Sequence, residues 1–289
     1  MKHFSYHKPA TIEEAVTFLR RYEGKEAVLA GGTDLLVEMK QNLRTPVHVV
    51  DIKGIERLRE ITTNRDGSLL IGAAVTLQSL STSSFLNRGW NLLAQAASKV
   101  GSVQIRNRAT LGGNICHASP SGDTLPALLC LEARFKIFGP QGEREIPAQD
   151  FFLGPGQVAL GRTEILTGIL LPKNSLRLRG VYKKFTLRRM MDLSLVGVAV
   201  LGELDDTGNT FRDIRIGLGA VASTPIRARR AEITLTGDKM TAKRIEETSR
   251  LAAEEAHPIS DIRGDDWYRK EMIHHLVQEA IREIWRMRA

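Results

Sequence analysis

Val103-Gln104-Ile105-Arg106-Asn107-Arg108-Ala109-Thr110-Leu111-Gly112-Gly113-Asn114-Ile115 sets a glycine pair between two residues whose side chains hydrogen-bond, Thr110 and Asn114. A second pair stands about 80 residues earlier, in Ala30-Gly31-Gly32-Thr33-Asp34. Taken singly, each pair reads as a tight turn with the option of binding an anion. Adjacent glycines reach positive φ and let backbone N–H groups converge on a charge. Neither stretch is a Walker loop or the G-x-G-x-x-G dinucleotide fingerprint. Taken together they are more specific, because amides from two loops can hold a diphosphate without a lysine, at about 1.5–3 kcal/mol per charged hydrogen bond.

The surrounding pattern gives these pairs a setting. Thr11 to Tyr22 reads as an amphipathic helix, with Thr11 as N-cap, Glu14 three residues on, and Ile12, Ala15, Val16 and Leu19 on one face. After Gly24, the apolar run Ala27-Val28-Leu29-Ala30 suits a buried strand that feeds the first glycine pair, and Leu35, Leu36, Met39 and Leu43 follow at helical spacing. Strands are expected at Val47 to Ile52 and Leu69 to Gly72, and helices at Thr76 to Ser81 and Trp90 to Val100, just before the second pair. A helix at Ala127 to Leu131, a hairpin turning at Gly139-Pro140-Gln141-Gly142 and a strand from Glu164 to Leu171 complete this part. Beyond Pro172 the pattern changes to strands at Gly180 to Phe185, Val196 to Leu204 and Ile214 to Ala220. Helices follow from Thr241 to Ala256 and from Asp265 to Met287, which reads as a smaller sheet with helices on one face.

Composition narrows the classes. The 289 residues, 42% hydrophobic and 26% charged, suit a packed chain of about two domains. No run approaches the roughly 18 apolar residues of a membrane span, and the N-terminus lacks the features of a signal peptide, so a cytoplasmic address is expected. Two cysteines, Cys116 and Cys130, exclude a disulfide framework and a protein-only four-cysteine cluster. A net charge of +8 leaves nucleic acid, an acidic partner or an anionic ligand open, but the basic clusters lack the aromatic interleaving of a base-stacking surface.

The segment from Val103 to Ile115, followed by Ala118-Ser119-Pro120 and Gly122-Asp123, resembles the flavin subunit of the molybdenum hydroxylases. That family includes xanthine dehydrogenase, carbon monoxide dehydrogenase and related aldehyde and heteroaromatic oxidoreductases. The resemblance covers nearly the whole chain. It implies an α+β fold: a two-lobed FAD-binding domain of the vanillyl-alcohol oxidase/CO dehydrogenase flavoprotein type over residues 1–173, with lobes at about 1–56 and 57–173. A C-terminal α/β domain of CO dehydrogenase flavoprotein type, its smaller sheet packed by helices, takes residues 174–289.

By the same resemblance Leu29, Ala30, Gly31, Gly32, Thr33 and Asp34 form a first pyrophosphate loop of FAD, and Thr110, Gly112, Gly113 and Asn114 a second. Asp123 falls at the polar part of the flavin, Ile165 and Leu166 on a strand passing it, and Lys184 near the isoalloxazine, where a cation favours the anionic reduced ring. Read without the resemblance, Asp123 caps the following helix, Lys184 is a solvated charge, and Ile165 and Leu166 are strand core. Thr33-Asp34 and Asp192-Leu193 place the chain nearer the xanthine dehydrogenase side.

The implied role is electron transfer, with no catalytic side chain and no metal site in this chain. A large molybdenum-binding subunit would oxidise the organic substrate, and a small iron–sulfur subunit would carry two [2Fe–2S] clusters. Electrons would leave through FAD to NAD+ or another acceptor, in a dimer of heterotrimers. Two other readings stay open: a self-contained FAD-dependent oxidoreductase, and a basic nucleic-acid-binding protein. Arg106 and Arg108 approach a phosphate or an acidic partner, or form local ion pairs. Cys116 and His117 are adjacent but lack a third orienting group for nucleophilic catalysis, and Met190 and Met191 read as packing or loop residues.

Overall fold

The structure, a computed structural model, describes residues 1–87, 89–173, 177–188 and 191–287; Met190 and the start of the expected second domain at residue 174 lie outside them. The N-terminal part contains β1 (Ser5–His7), α1 (Ile12–Arg21), β2 (Glu26–Leu29), α2 (Leu35–Lys40) and β3 (His48–Asp51). Its three strands form a parallel sheet in the order β1-β3-β2. Helix α1 starts where its cap residues dictate: the Glu14 amide donates to Thr11 Oγ1, and the Glu14 carboxylate accepts from the Ala10 amide. Its buried face is Ile12, Ala15, Val16 and Leu19.

Next come β4 (Ile61–Thr63), β5 (Leu69–Gly72), α3 (Leu77–Ser81), α4 (Asn91–Ser98), α5 (Val103–Arg106), α6 (Leu111–His117) and α7 (Thr124–Cys130). Then β6 (Arg134–Gly139), β7 (Gly142–Pro147), β8 (Phe152–Gly154), β9 (Gln157–Val158) and β10 (Ile165–Leu171) follow. Five of these strands make a sheet in the order β4-β5-β10-β6-β7, every pair antiparallel, while β8 and β9 pair separately. A bulge interrupts the β10–β6 register between Leu166 and Gly168. Just before it Ile165 and Leu166 alternate in the ordinary way, each buried in a different part of the core.

The C-terminal part is β11 (Arg179–Phe185), β12 (Val196–Leu204), β13 (Phe211–Gly219), β14 (Ile226–Arg227), α8 (Arg229–Leu235), α9 (Ala242–Glu255) and α10 (Asp266–Arg286). Its antiparallel sheet carries the C-terminal helices α8, α9 and α10 on one face, as expected, and α4 and α7 from the N-terminal part cover the other. Val181, Val196, Val198 and Val200 pack toward the C-terminal helices, whereas Tyr182, Ala199 and Leu201 join the core around α4 and α7. Burial on both sides is why Val196 to Leu201 is uniformly apolar, and why α7 is buried all round. Contact is close enough that a Cβ on Gly217 would stand 2.5 Å from the Pro126 carbonyl oxygen.

One ion cluster fixes the entrance to β12. Arg269, 3% exposed, donates to the carbonyls of Leu195 at 3.0 Å and Ala220 at 3.3 Å, and to Asp261 Oδ1 at 2.8 Å. Hydrogen bonds from Arg263, then the charge of Arg269, hold the Asp261 carboxyl at about 2, below its usual 3.8. A carboxyl depressed on folding stabilises the chain above its unfolded value and loses that contribution as pH falls toward its folded one. Unfolding free energy is therefore expected to fall between about pH 4 and about pH 2, with a shallower slope in Asp261→Asn. Denaturant unfolding of both chains across that window checks it; equal slopes would remove Asp261 from the acid response.

Candidate functional site

A cavity of about 770 Å³ opens where the parallel sheet, α6, β10 and β11 meet. It is within the size range of small-molecule and cofactor sites. Ala30, Gly31, Gly32, Thr33, Asp34, Thr110, Gly112, Gly113, Asn114, Asp123, Ile165, Leu166 and Lys184 all line it. Leu29 does not. Its side chain is 7% exposed and packs with Ala27, Leu35, Met39 and Val49 beneath the first turn.

The first glycine turn sits at the carboxyl end of parallel strand β2, where ligands of α/β sheets bind. Its two glycines serve different needs. Gly32 has φ +80, a conformation that disfavours any side chain, while a Cβ on Gly31 would stand 2.3 Å from the Arg108 carbonyl oxygen and 2.8 Å from Ala109 Cα. Gly31 thus lets the two motifs touch backbone to backbone. Among the described residues, the amides of Gly31, Gly32, Thr33 and Asp34 donate no hydrogen bond within the protein. Four consecutive donors on a cavity wall fit an anionic group.

The second motif differs from the expected loop. Thr110 is an N-cap, and Gly112 and Gly113 lie in the first turn of α6. The amides of Leu111 and Gly112 donate to the carbonyls of Val75 and Ala73, that of Gly113 to Thr110 Oγ1, and that of Asn114 to the Thr110 carbonyl. With these amides occupied, the donors left for a ligand are the Thr110 amide, which donates no hydrogen bond within the protein among the described residues, and side-chain groups. Asn114 Oδ1 accepts from Thr124 Oγ1 at 2.6 Å, which orients the amide NH2 of Asn114 away from that bond. Gly112 is needed for packing: a Cβ on it would meet Ala73 O at 2.6 Å.

Asp123 and Lys184 form the polar end of the cavity. Lys184 Nζ donates to Asp123 Oδ2 at 2.8 Å and to the Lys99 carbonyl at 3.0 Å, with both side chains largely buried. Burial pushes the Asp123 carboxyl up, opposed by Lys184 and by hydrogen bonds from Ser194 and Tyr182. Asp123 occupies the N-cap position of α7 but makes no side-chain cap bond there. Its oxygens are used by the cluster instead, and Lys184 is not a solvated charge.

Other residues take clear places. Arg106 turns inward, donating from Nε to Gln78 at 3.2 Å and from Nη1 to the Val100 carbonyl at 3.0 Å, while Arg108 is exposed. Burial pushes the Cys116 thiol up to about 12, which disfavours a thiolate nucleophile at neutral pH. His117 stands at the wall, 3.9 Å from Asp34 and 3.8 Å from Glu38. Asp192, which the resemblance brings near the flavin, lines the cavity, and so do Glu38, Arg162 and Met191, which carried no sequence signal of it. Among the described residues no helix is long and apolar enough to cross a membrane.

Comparison with known proteins agrees over the whole chain. The family described as FAD binding domain in molybdopterin dehydrogenase matches residues 2–174, and the CO dehydrogenase flavoprotein C-terminal domain matches residues 181–284. The xanthine dehydrogenase FAD-binding subunit of Escherichia coli O157:H7 is 35% identical over 96% of this chain and 95% of its own. The carbon monoxide dehydrogenase medium chain of Hydrogenophaga pseudoflava is 34% identical over 98% of this chain and 97% of its own. A solved structure of carbon monoxide dehydrogenase from that organism, lacking the Mo-pyranopterin moiety of the molybdenum cofactor, superimposes with a TM-score of 0.95 at 34% identity, over 100% of this chain and 99% of that one. Identities of 35% and 34% do not separate the two branches.

Proposed function

The chain belongs to the FAD-binding medium subunits of the molybdenum hydroxylases, and from that premise we propose that it is the flavin relay of a larger enzyme, with FAD held in the cavity at the two glycine motifs. The observation that carries this placement is the row of four free amides at Gly31 to Asp34. They match a pyrophosphate, and the Asn114 side-chain amide adds a donor from the facing motif. Asp123 and Lys184 put an acceptor and a donor side by side, complementary to a ring edge with an N–H beside a carbonyl. Lys184 also stabilises negative charge on a ring lying against it. Ile165 and Leu166 supply an apolar wall that keeps water from one side.

FAD, when bound, supplies the exchange between two-electron and one-electron chemistry that no side chain of this chain provides. The two cysteines are too few for a four-cysteine cluster. We therefore assign the [2Fe–2S] clusters to a small partner subunit and the molybdenum cofactor to a large one, in a dimer of heterotrimers in the cytoplasm. NAD+ or another acceptor takes the electrons. The organic substrate is then a property of the large subunit.

Purification of the tagged chain from its source is expected to yield equimolar FAD after acid extraction and two further chains, one binding molybdenum and one iron. A full-length chain that neither carries nor takes up FAD would sink the proposal.

A further inference from the structure

Tyr182 and Ser194 converge on one oxygen of Asp123. The Tyr182 hydroxyl donates to Oδ1 at 2.8 Å and the Ser194 hydroxyl to the same atom at 2.6 Å, while Lys184 holds Oδ2. All three residues of this cluster other than Lys184 are nearly inaccessible: Asp123 and Tyr182 are 5% exposed and Ser194 is 2% exposed. A carboxylate so deeply buried is tolerated only when donors satisfy it.

The backbone makes room for the arrangement. Gly197 lies opposite Lys184 across β11 and β12, and a Cβ there would stand 2.8 Å from the Tyr182 hydroxyl oxygen. A glycine at 197 leaves that hydroxyl its place. Ser194 is fixed in turn through its neighbour Leu195, whose carbonyl accepts from the buried Arg269.

We propose that Tyr182 and Ser194 are positioning residues that lock Asp123 as an acceptor turned toward the cofactor, so that the C-terminal part of the chain completes a pocket built mainly by the N-terminal part. The inference rests on the FAD placement given above. Two hydroxyls saturate Oδ1, so Oδ2 and Lys184 are left to face the ligand. Lys184 has three N–H donors; Asp123 and Lys99 take two, and the third remains for the pocket.

Protonation would turn Asp123 into a donor and break this pattern. Burial favours that proton, and the three donors oppose it. The groups directly facing Asp123 are Lys184 and Tyr182 from β11 and Ser194 before β12; Asp34, Glu38 and Asp192 are among the other carboxylates that line the cavity. Removing one hydroxyl shifts the balance toward the neutral acid, leaving Lys184 without its counter-charge.

The test uses the full chain loaded with FAD, titrated across roughly pH 5 to 9 while flavin absorbance is recorded. The unaltered chain sets the reference profile, in which burial already raises the Asp123 carboxyl against its three donors. Tyr182→Phe and Ser194→Ala should each displace the one-proton step of Asp123 to higher pH than in the reference and weaken FAD binding roughly tenfold or more. Gly197→Ala, which displaces the Tyr182 hydroxyl, should reproduce the shift, and Ser194→Thr, which keeps a hydroxyl, should not. Profiles of Tyr182→Phe and Ser194→Ala that match the reference overturn the inference, whether FAD binding is unchanged or weakened, because a merely structural role moves no ionisation. Should Tyr182→Phe fail to fold, the smaller Ser194→Ala change decides. An unaltered chain that takes up no FAD would refute the placement beneath the inference, a separate and recognisable failure.

Discussion

In the Gly113→Val chain FAD affinity is expected to fall roughly 100-fold or more, with the fold intact. Gly113 faces the cavity, and the atoms nearest a Cβ built on it are Thr110 Oγ1 at 2.9 Å and Ala30 Cβ at 3.9 Å. Valine methyls extending from that Cβ occupy the gap between the two motifs, beside the free amides of the first turn. A pyrophosphate displaced from there loses several charge-assisted hydrogen bonds at about 1.5–3 kcal/mol each.

The cost to folding is small by comparison. Crowding Thr110 weakens a cap worth about 1 kcal/mol, while valine replaces a glycine that disfavours a helix by about 1 kcal/mol relative to alanine. Bound flavin after gel filtration and thermal unfolding of the same sample check both halves. Stoichiometric flavin in the variant would remove Gly113 from the site. Gly31→Ala would be a poorer probe, because its Cβ meets Arg108 and Ala109 backbone and forces the motifs apart.

The contrast between these glycines shows what the sequence made legible. Both pairs were visible as places where backbone approaches something closely, but not what each approaches. Gly31 approaches the other motif, Gly112 approaches Ala73, and Gly113 faces the cavity. Those partners are fixed by tertiary contact, so the second pair read as a loop where the chain forms α6. Helix propensity argues against Gly-Gly in a first turn, and the Thr110 cap with the packing on Ala73 overrides it.

Local signals served better where the cause is local. The Thr11 cap, the Leu69–Gly72 strand and the Val196–Leu204 strand emerged close to their expected bounds. The two-sided burial of the C-terminal sheet did not, because α4 and α7, which cover its second face, come from far earlier in the chain. For the same reason Tyr182 and Ser194 carried no sequence signal: they lie 59 and 71 residues from the carboxylate they hold.

Glu232→Ala is expected to destabilise the chain by about 3–5 kcal/mol, the scale of breaking a buried ion pair from one side. Arg227 and Glu232 have side chains only 7% and 8% exposed and form a bidentate pair, Nε to Oε1 at 2.5 Å and Nη2 to Oε2 at 2.8 Å. Oε1 also accepts from the Ile216 amide at 2.8 Å. Alanine therefore leaves a buried guanidinium and a buried amide without their acceptor, whereas Glu232→Gln keeps an acceptor and should lose less.

The pair reaches the site through α7. Arg227 Nη1 donates to the Leu129 carbonyl at 3.3 Å and Arg215 Nη1 to the Cys130 carbonyl at 3.1 Å, so two arginines of the C-terminal sheet satisfy carbonyls at the end of the helix whose start carries Asp123. Urea unfolding of the two variants without FAD measures the loss, and a change under about 1 kcal/mol in Glu232→Ala would show that the pair contributes little. Repeating it with saturating FAD adds a second reading. A ligand that binds only the folded chain raises stability by RT ln(1 + [L]/Kd), so Glu232→Ala should recover the same increment as the unaltered chain if α7 keeps its place. A smaller increment means that Asp123 has shifted with the helix, and that the Arg227–Glu232 pair supports the cofactor pocket as well as the fold.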